Sequence, residues 1–284
     1  MKKIKVQAPA KINITLDVTG KRADGFHDLK SIMHAINLYD YLDVQIDEAE
    51  GIQIELSGNS DEIPYDEHNL VWKAAEKFLQ RANIGNSKIS VYLEKNIPVQ
   101  AGMAGGSTDG AAILYALNKL YDNILSEQQI NEICAESGSD LNFCLKGGCA
   151  ICTSRGEKIR PIPFLEKPVC VVKPREIKIS AKEAFQEYDL LQPECKNATD
   201  KLAPLIVCGG FDESLMHNDL EEAMRNKYSE LNNFKCHLPK AIMSGSGAVF
   251  YQFTNEFEVD FDKDEFIVIE NLKTIGDGVK EVWE

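Results

Sequence analysis

The chain has 284 residues, 44% hydrophobic and 27% charged, with 31 Lys and Arg against 45 Asp and Glu for a formal net charge of -14. That length exceeds what one ordinary core holds, so two domains or one large mixed domain are expected. With no long apolar run and no signal-like N-terminus the chain reads as soluble and cytoplasmic without a membrane partner, and its acidic balance opposes nucleic-acid binding, which rewards clustered cations.

From Ile4 the pattern alternates. Val6, Ala8, Ile12, Ile14, Leu16 and Val18 take one face, and Lys11, Asn13, Thr15 and Asp17 the other, so Lys11 and Asn13 point together. "GKRADGFHDL" is a turn-rich connection, "SIMHAINLYDYLDVQI" returns to strand character, and the first third reads as β-sheet. Leu70, Val71, Ala74, Ala75, Phe78 and Leu79 recur with helical spacing over 69–81. Ile89, Val91 and Leu93 then alternate with Ser90, Tyr92 and Glu94 in a strand ending near Pro98. Ile113, Leu114, Leu117, Leu120 and Tyr121 mark one side of a helix, and Ser126 with Gln129 opens another that stops at Gly138. "LNFCLKGGCAICTS" reads as a strand pair about a Gly-Gly turn, closing a first domain at 1–157 and leaving 158–284 as a second. In that half "PVCVVKP" is a strand, Ser180 and Glu183 form a second capping box, and helical stretches run through residue 232. "AIMSGSGAVFYQF" turns tightly at Gly245 and Gly247, and "EFIVIENL" is a further strand.

The eight cysteines are dispersed and read as buried thiols. Cys149 and Cys152 form a CxxC in a strand-like run with no second ligand pair, so no metal or redox site is assigned to them. His34, His68, His217 and His237 show no ligand spacing, and Asn218 with Asp219 fits a helix cap.

"PVQAGMAGGSTDGAAI", residues 98 to 113, lies between strand and helix. Backbone N–H groups at a helix N-terminus bind phosphate when side chains leave the approach open. Gly102, Ala104, Gly105 and Gly106 leave it open, and Ser107 and Thr108 add hydroxyls. The stretch matches neither the P-loop, which ends in Gly-Lys-Ser/Thr, nor the dinucleotide fingerprint, so on its own it fits a phosphate site and a tightly packed turn alike.

Four stretches in order, "APAKINITLDVTGKRADGFHDL", "PVQAGMAGGSTDGAA", "SGSDLNFCLKGG" and "IMSGSGAVFYQF", resemble the GHMP kinases, whose ATP loop lies outside the P-loop class. The likeness spans residues from about 8 to about 250. It implies an α+β, two-domain fold: an N-terminal domain similar to domain 2 of ribosomal protein S5, a C-terminal ferredoxin-like domain, and the active site in the cleft between. It further implies phosphoryl transfer from ATP, with Mg2+, to a small alcohol. The opening stretches point to a cytidine diphosphate sugar alcohol.

By this resemblance Asp140 is the base toward the substrate hydroxyl and Lys11 holds and polarises that group. Asn13 orients one or the other. Pro98 and the loop Gly102, Met103, Ala104, Gly105, Gly106, Ser107 and Thr108 cradle ATP, with Asn69, Leu70 and Val71 on the adenine and Ser107 as a ligand for magnesium. Phe26 and Phe185 stack on the cytosine, His27 bonds to its edge, and Gly245, Ser246 and Gly247 close the cleft over the substrate. Asn142 stands where the family tends to carry proline, and Ala181 where threonine is commoner. The residues leave open a related kinase for mevalonate, phosphomevalonate or homoserine, and a nucleotide-binding protein without catalysis.

Overall fold

β1 (Lys2–Lys21) and β2 (His27–Asp47) are the longest strands of the computed structural model, which describes residues 1–282, and they pair antiparallel along nearly their whole lengths. Successive even-numbered residues of β1 enter three different cores. Ile4, Val6 and Ala8 pack beneath the N-terminal helices, Ala10, Ile12 and Ile14 against the second sheet, and Leu16 and Val18 among the C-terminal helices. Register shifts at Pro9/Ala10, Asn13/Thr15 and Val18/Gly20 bend the strand along this path. One strand thus carries Lys11 and Asn13 to the junction of both halves.

β3 (Ile52–Gly58) lies parallel to β4 (Ser87–Glu94), which pairs with the second half of β2. α1 (Leu70–Arg81) buries the predicted stripe from Val71 to Leu79, and Asn69 caps it by accepting the Val71 N–H. α2 (Gly105–Leu120) covers the same sheet, followed by α3 (Glu127–Ser137), whose Ser126/Gln129 box and Gly138 stop are as expected. α4 (Leu141–Lys146) corrects the sequence reading: "LNFCLK" is helix rather than strand, and only β5 (Cys149–Ser154) and β6 (Lys158–Pro161) form the hairpin. The Gly147–Gly148 pair, both at positive φ, ends that helix. The division expected after residue 157 falls inside the β5–β6 hairpin, so we propose 162–167 as the link between the halves.

β7 (Pro168–Pro174) opens the second sheet, and α5 (Ala181–Leu191), α6 (Ala198–Val207), β8 (His217–Asn218), α7 (Asp219–Lys227) and α8 (Ser229–His237) follow. The sheet is completed by β9 (Ile242–Met243), β10 (Phe250–Gln252) and β11 (Phe266–Lys273), in the antiparallel order β11-β7-β10-β9. This is the ferredoxin-like order with helices on the first crossover, whereas residues 253–265 make the second without one. β8 and β12 (Lys280–Glu281) both return to β1. Asp17 of β1 accepts the N–H groups of Ala198 and Thr199, each at 2.7 Å, and so caps α6 from a distant strand. Half of the second capping box forms: Ser180 accepts the Glu183 N–H, while the Glu183 carboxylate turns to Tyr228 and Lys227.

All the cysteines are free. Cys134, Cys144, Cys149, Cys152 and Cys170 are buried, but Cys195 is half-buried and Cys208 and Cys236 are exposed, so the expectation of buried thiols holds for the strand and inner-helix positions only.

His34 is fully buried on β2, and desolvation lowers its pKa from 6.5 to about 4. A neutral imidazole is therefore the folded form, and its stabilising contribution is complete above pH 6.5 and lost as pH falls toward 4. Urea unfolding at pH 7 and pH 5 should show the parent losing about 2 kcal/mol more than His34→Gln over that interval. Equal losses would show that His34 is not a source of the pH dependence.

Candidate active site

The Lys11 side chain is 4% exposed, and its ammonium donates to Asn13 Oδ1 at 2.7 Å and to the Gly102 carbonyl at 2.8 Å, with Asp140 Oδ2 at 3.8 Å. Parity on β1 puts Lys11 and Asn13 on one side, and Asn13 is held in turn by donating to Ser31 Oγ at 2.8 Å. Asp140 precedes α4 but its side chain caps no N–H group, and it remains 26% exposed toward the cavity. A helix cap would have consumed the carboxylate's lone pairs; here they are available for chemistry.

The glycine loop closes against the C-terminal half. Gly102 has φ of 73°, and a Cβ there would lie 2.0 Å from the Ser244 carbonyl oxygen. The Val249 N–H donates to the Ala101 carbonyl, Ser244 Oγ donates to the Gly102 carbonyl, and Asn218 Nδ2 donates to the carbonyls of Met243 and Gly245. Asn218 Oδ1 accepts the Leu220 N–H and so caps α7, as expected, while its Nδ2 pins the turn at Gly245. Ala104 precedes α2 in the left-handed region with φ of 61° and offers no side-chain cap, so the first N–H groups of α2 face outward without a protein side chain upon them. A methyl added to Gly106 would have no atom within 4 Å, so the approach there is open.

These groups line one cavity of about 520 Å3. Lys11, Asn13, Asn69, Leu70, Pro98, Gly102, Ala104, Gly105, Gly106, Ser107, Asp140, Phe185, Gly245 and Ser246 all border it. Six expected residues do not: Val71, Met103, Thr108, Phe26, His27 and Gly247. Val71 and Met103 turn into hydrophobic cores, with Met103 contributing its carbonyl to the Lys11 N–H, and Thr108 is fully buried on the inner side of α2. Ser139, Arg155, Lys95 and Asp109 border the cavity without having been singled out from the sequence. A groove of about 590 Å3 on the outer sheet face, between Lys5, Gln45 and Tyr92, brings no comparable set of groups together.

The family model for the GHMP kinases N terminal domain matches residues 69–149, which span the loop and Asp140. Over 251 residues the chain is 40% identical to a 4-diphosphocytidyl-2-C-methyl-D-erythritol kinase of Syntrophomonas wolfei, covering 85% of this chain and 86% of that one. The chain belongs to the GHMP kinase family. A relative of the same name from Clostridium botulinum is 38% identical, with 88% and 91% covered. The crystal structure of a 4-(cytidine 5'-diphospho)-2C-methyl-D-erythritol kinase superposes with a TM-score of 0.70 at 26% identity, over 88% of this chain and 90% of that one. A homoserine kinase from Cytophaga hutchinsonii superposes with a TM-score of 0.73 at 18% identity over 99% and 98%, a likeness of fold alone. The α+β, two-domain architecture is thus that of the family.

At the far end of the cavity this GHMP kinase departs from the expected aromatic pair. Phe185 borders the cavity, but one face of its ring is covered by His27, with centroids 4.8 Å apart and planes at 14°. His27 is buried, its Nε2 lies 2.7 Å from Asp189 Oδ1, and Asp189 also accepts from Lys21. These partners hold the Asp189 carboxyl below its usual range, Lys21 first. Phe26 is 53% exposed, with the Arg155 guanidinium over its ring at 5.3 Å. Phe185, His27 and Asp189 form one cluster; Phe26 and Arg155 form another.

Ser107, in the first turn of α2, is the hydroxyl nearest the uncapped N–H groups in chain order. Hard divalent ions on nucleotides take most ligands from phosphate and water, so one hydroxyl beside an open loop fits magnesium without a carboxylate cage. Among the described residues, three-donor groupings occur at Asp17, Cys195 and Asp219 and at Asp66, Glu67 and His68, neither of which includes Ser107.

Proposed function

We propose that this GHMP kinase phosphorylates the 2-hydroxyl of 4-diphosphocytidyl-2-C-methyl-D-erythritol with ATP, releasing ADP and the 2-phosphate, a step of non-mevalonate isoprenoid biosynthesis carried out in the cytoplasm. The observation that carries the mechanism is the convergence of Lys11 and Asp140 beside the uncapped start of α2. ATP places its phosphates on that helix start, between Pro98 and Ser107, with its base toward Asn69 and Leu70. Magnesium at Ser107 supplies charge neutralisation to the phosphate oxygens. Asp140 accepts the proton of the attacking hydroxyl. Lys11, its ammonium fixed by Asn13 and the Gly102 carbonyl, directs its remaining donor to the hydroxyl and the transferring group, and the main-chain N–H groups of α2 hold the developing charge. Phe185, backed by His27, offers a flat surface to the cytosine, and Arg155 offers a cation toward the diphosphate.

Purified protein with magnesium and ATP should release ADP rapidly with 4-diphosphocytidyl-2-C-methyl-D-erythritol and negligibly with mevalonate or homoserine. Preference for either of the latter would overturn the substrate assignment, and ATP binding without transfer to any of the three would overturn catalysis.

A further inference from the structure

We propose that the buried Lys95, held between Asp40 and Asp109, is a positioning residue that fixes the phosphate-binding turn before α2 in its ATP-receiving form; this rests on the reading of that turn given above. Lys95 directly follows β4, and its main chain is clamped by Asn59, which accepts the Lys95 N–H at 2.7 Å and donates to its carbonyl at 3.3 Å. The ammonium donates to the Asp40 carboxylate and, at 2.7 Å, to Asp109 Oδ2, and all three side chains are at most 5% exposed. Asp40 Oδ1 also accepts the N–H groups of Asn96 at 2.6 Å and Ile97 at 2.8 Å. Asp40 therefore secures the entry to the loop and Asp109, inside α2, its exit. Between them the chain passes through left-handed backbone at Gln100, Gly102 and Ala104, which has no local hydrogen-bonded preference to hold it there.

The ammonium also sits under the turn itself, 3.2 Å from the point where a Cβ on Gly105 would lie. Stability does not account for this arrangement. A buried ion pair roughly breaks even with apolar side chains of equal size, and Asp109 Oδ1 is buried without a hydrogen-bond partner, which costs free energy. Burial pushes the Asp109 carboxyl up against the pull of Lys95, and repulsion from the Asp40 carboxylate pushes it in the same upward direction. Simple attraction does not account for it either, since two carboxylates accompany one ammonium beneath a site for a polyanion. What the group supplies is a fixed distance between β2, the end of β4 and the first turns of α2.

The test is the charge-neutral double variant Lys95→Met with Asp109→Leu, compared with parent protein by steady-state kinetics, thermal melting and calorimetry with a non-hydrolysable ATP analogue. KM for ATP is expected to rise at least about tenfold, with the analogue's affinity falling in step, while kcat at saturating ATP and KM for the alcohol stay within about threefold. Melting is expected to fall, because Asp40 loses its cation and stays buried on its bonds to the Asn96 and Ile97 N–H groups, so the kinetics are read at a temperature where the variant is shown to be folded. An unchanged KM for ATP in folded protein overturns the proposal, as does an equal decline in kcat and in both KM values. If the double variant does not fold, Lys95→Arg, which keeps the charge and both carboxylates but displaces the donor, carries the same expectation and the same overturning result. Failure of the parent protein to bind the analogue would instead remove the nucleotide reading of the loop, and the proposal with it.

Discussion

Asp140→Asn is expected to lower kcat by about 10²- to 10⁴-fold, the range that a positioned general base contributes. KM for ATP should change little, because the Asp140 side chain makes its one polar contact with Lys11 and bonds no part of the glycine loop. Asparagine has nearly the same volume and can still meet Lys11 through its carbonyl oxygen, but it cannot accept the hydroxyl proton. The fold should survive: the aspartate side chain caps no N–H group of α4, so no cap is lost, and the buried Lys11 ammonium keeps its bonds to Asn13 Oδ1 and the Gly102 carbonyl. Steady-state kinetics with the cytidine-linked alcohol, alongside a melting curve, reads both parts. Full turnover in the folded variant would remove Asp140 from the mechanism, whereas loss of kcat with a large fall in melting temperature would assign it a structural role.

The parts of the site that lie on regular elements are legible in the sequence. Period-2 alternation on β1 places Lys11 and Asn13 together, and their 2.7 Å contact follows from that parity. The same logic, applied more strictly, excludes Val71 and Met103. Val71 belongs to the apolar stripe of α1, and a methionine among glycines and alanines is the side chain a core will take. Contiguity with Asn69 and Leu70 carries Val71 onto the site, and contiguity with the loop glycines carries Met103; burial takes both off it.

Other parts depend on partners far away in the chain. Asp40 and Lys95 are 55 positions apart, and no local pattern announces that one lysine will tie β2 to α2. Arg155 sits in a polar turn that reads as surface until β5 folds it over Phe26. α4 escapes the sequence reading for a local reason: a six-residue stretch of Leu, Asn, Phe, Cys, Leu and Lys has no room to show a period, and the glycine pair after it resembles a hairpin turn as well as a helix stop.

Gly102→Ala should damage both halves of the site at once, and its contrast with Gly106→Ala separates two uses of glycine within one loop. At Gly102 φ is 73° and the added methyl would lie 2.0 Å from the Ser244 carbonyl oxygen and 2.8 Å from the Gly247 nitrogen. Neither neighbour is a flexible side chain, so the 244–247 turn or the loop itself must move by roughly 1 Å or more to restore a van der Waals distance of about 3.4 Å. The Gly102 carbonyl that holds the Lys11 ammonium moves with it, and a displacement of about 1 Å at a reacting group costs on the order of 10²-fold in rate. The left-handed backbone adds about 1–2 kcal/mol for any residue with a Cβ. We therefore expect kcat/KM to fall by about 10²-fold or more together with a clear loss of melting temperature. Gly106→Ala meets nothing within 4 Å and no positive φ, so its melting temperature should hold or rise slightly, the first turn of a helix gaining less from alanine than its interior does. Its methyl would instead stand in the open approach to the α2 N–H groups, raising KM for ATP. If both alanine variants kept parental kinetics, the loop would not be where the two halves and the nucleotide meet. If both lost stability equally, the space above Gly106 would be filled by protein and not by ligand.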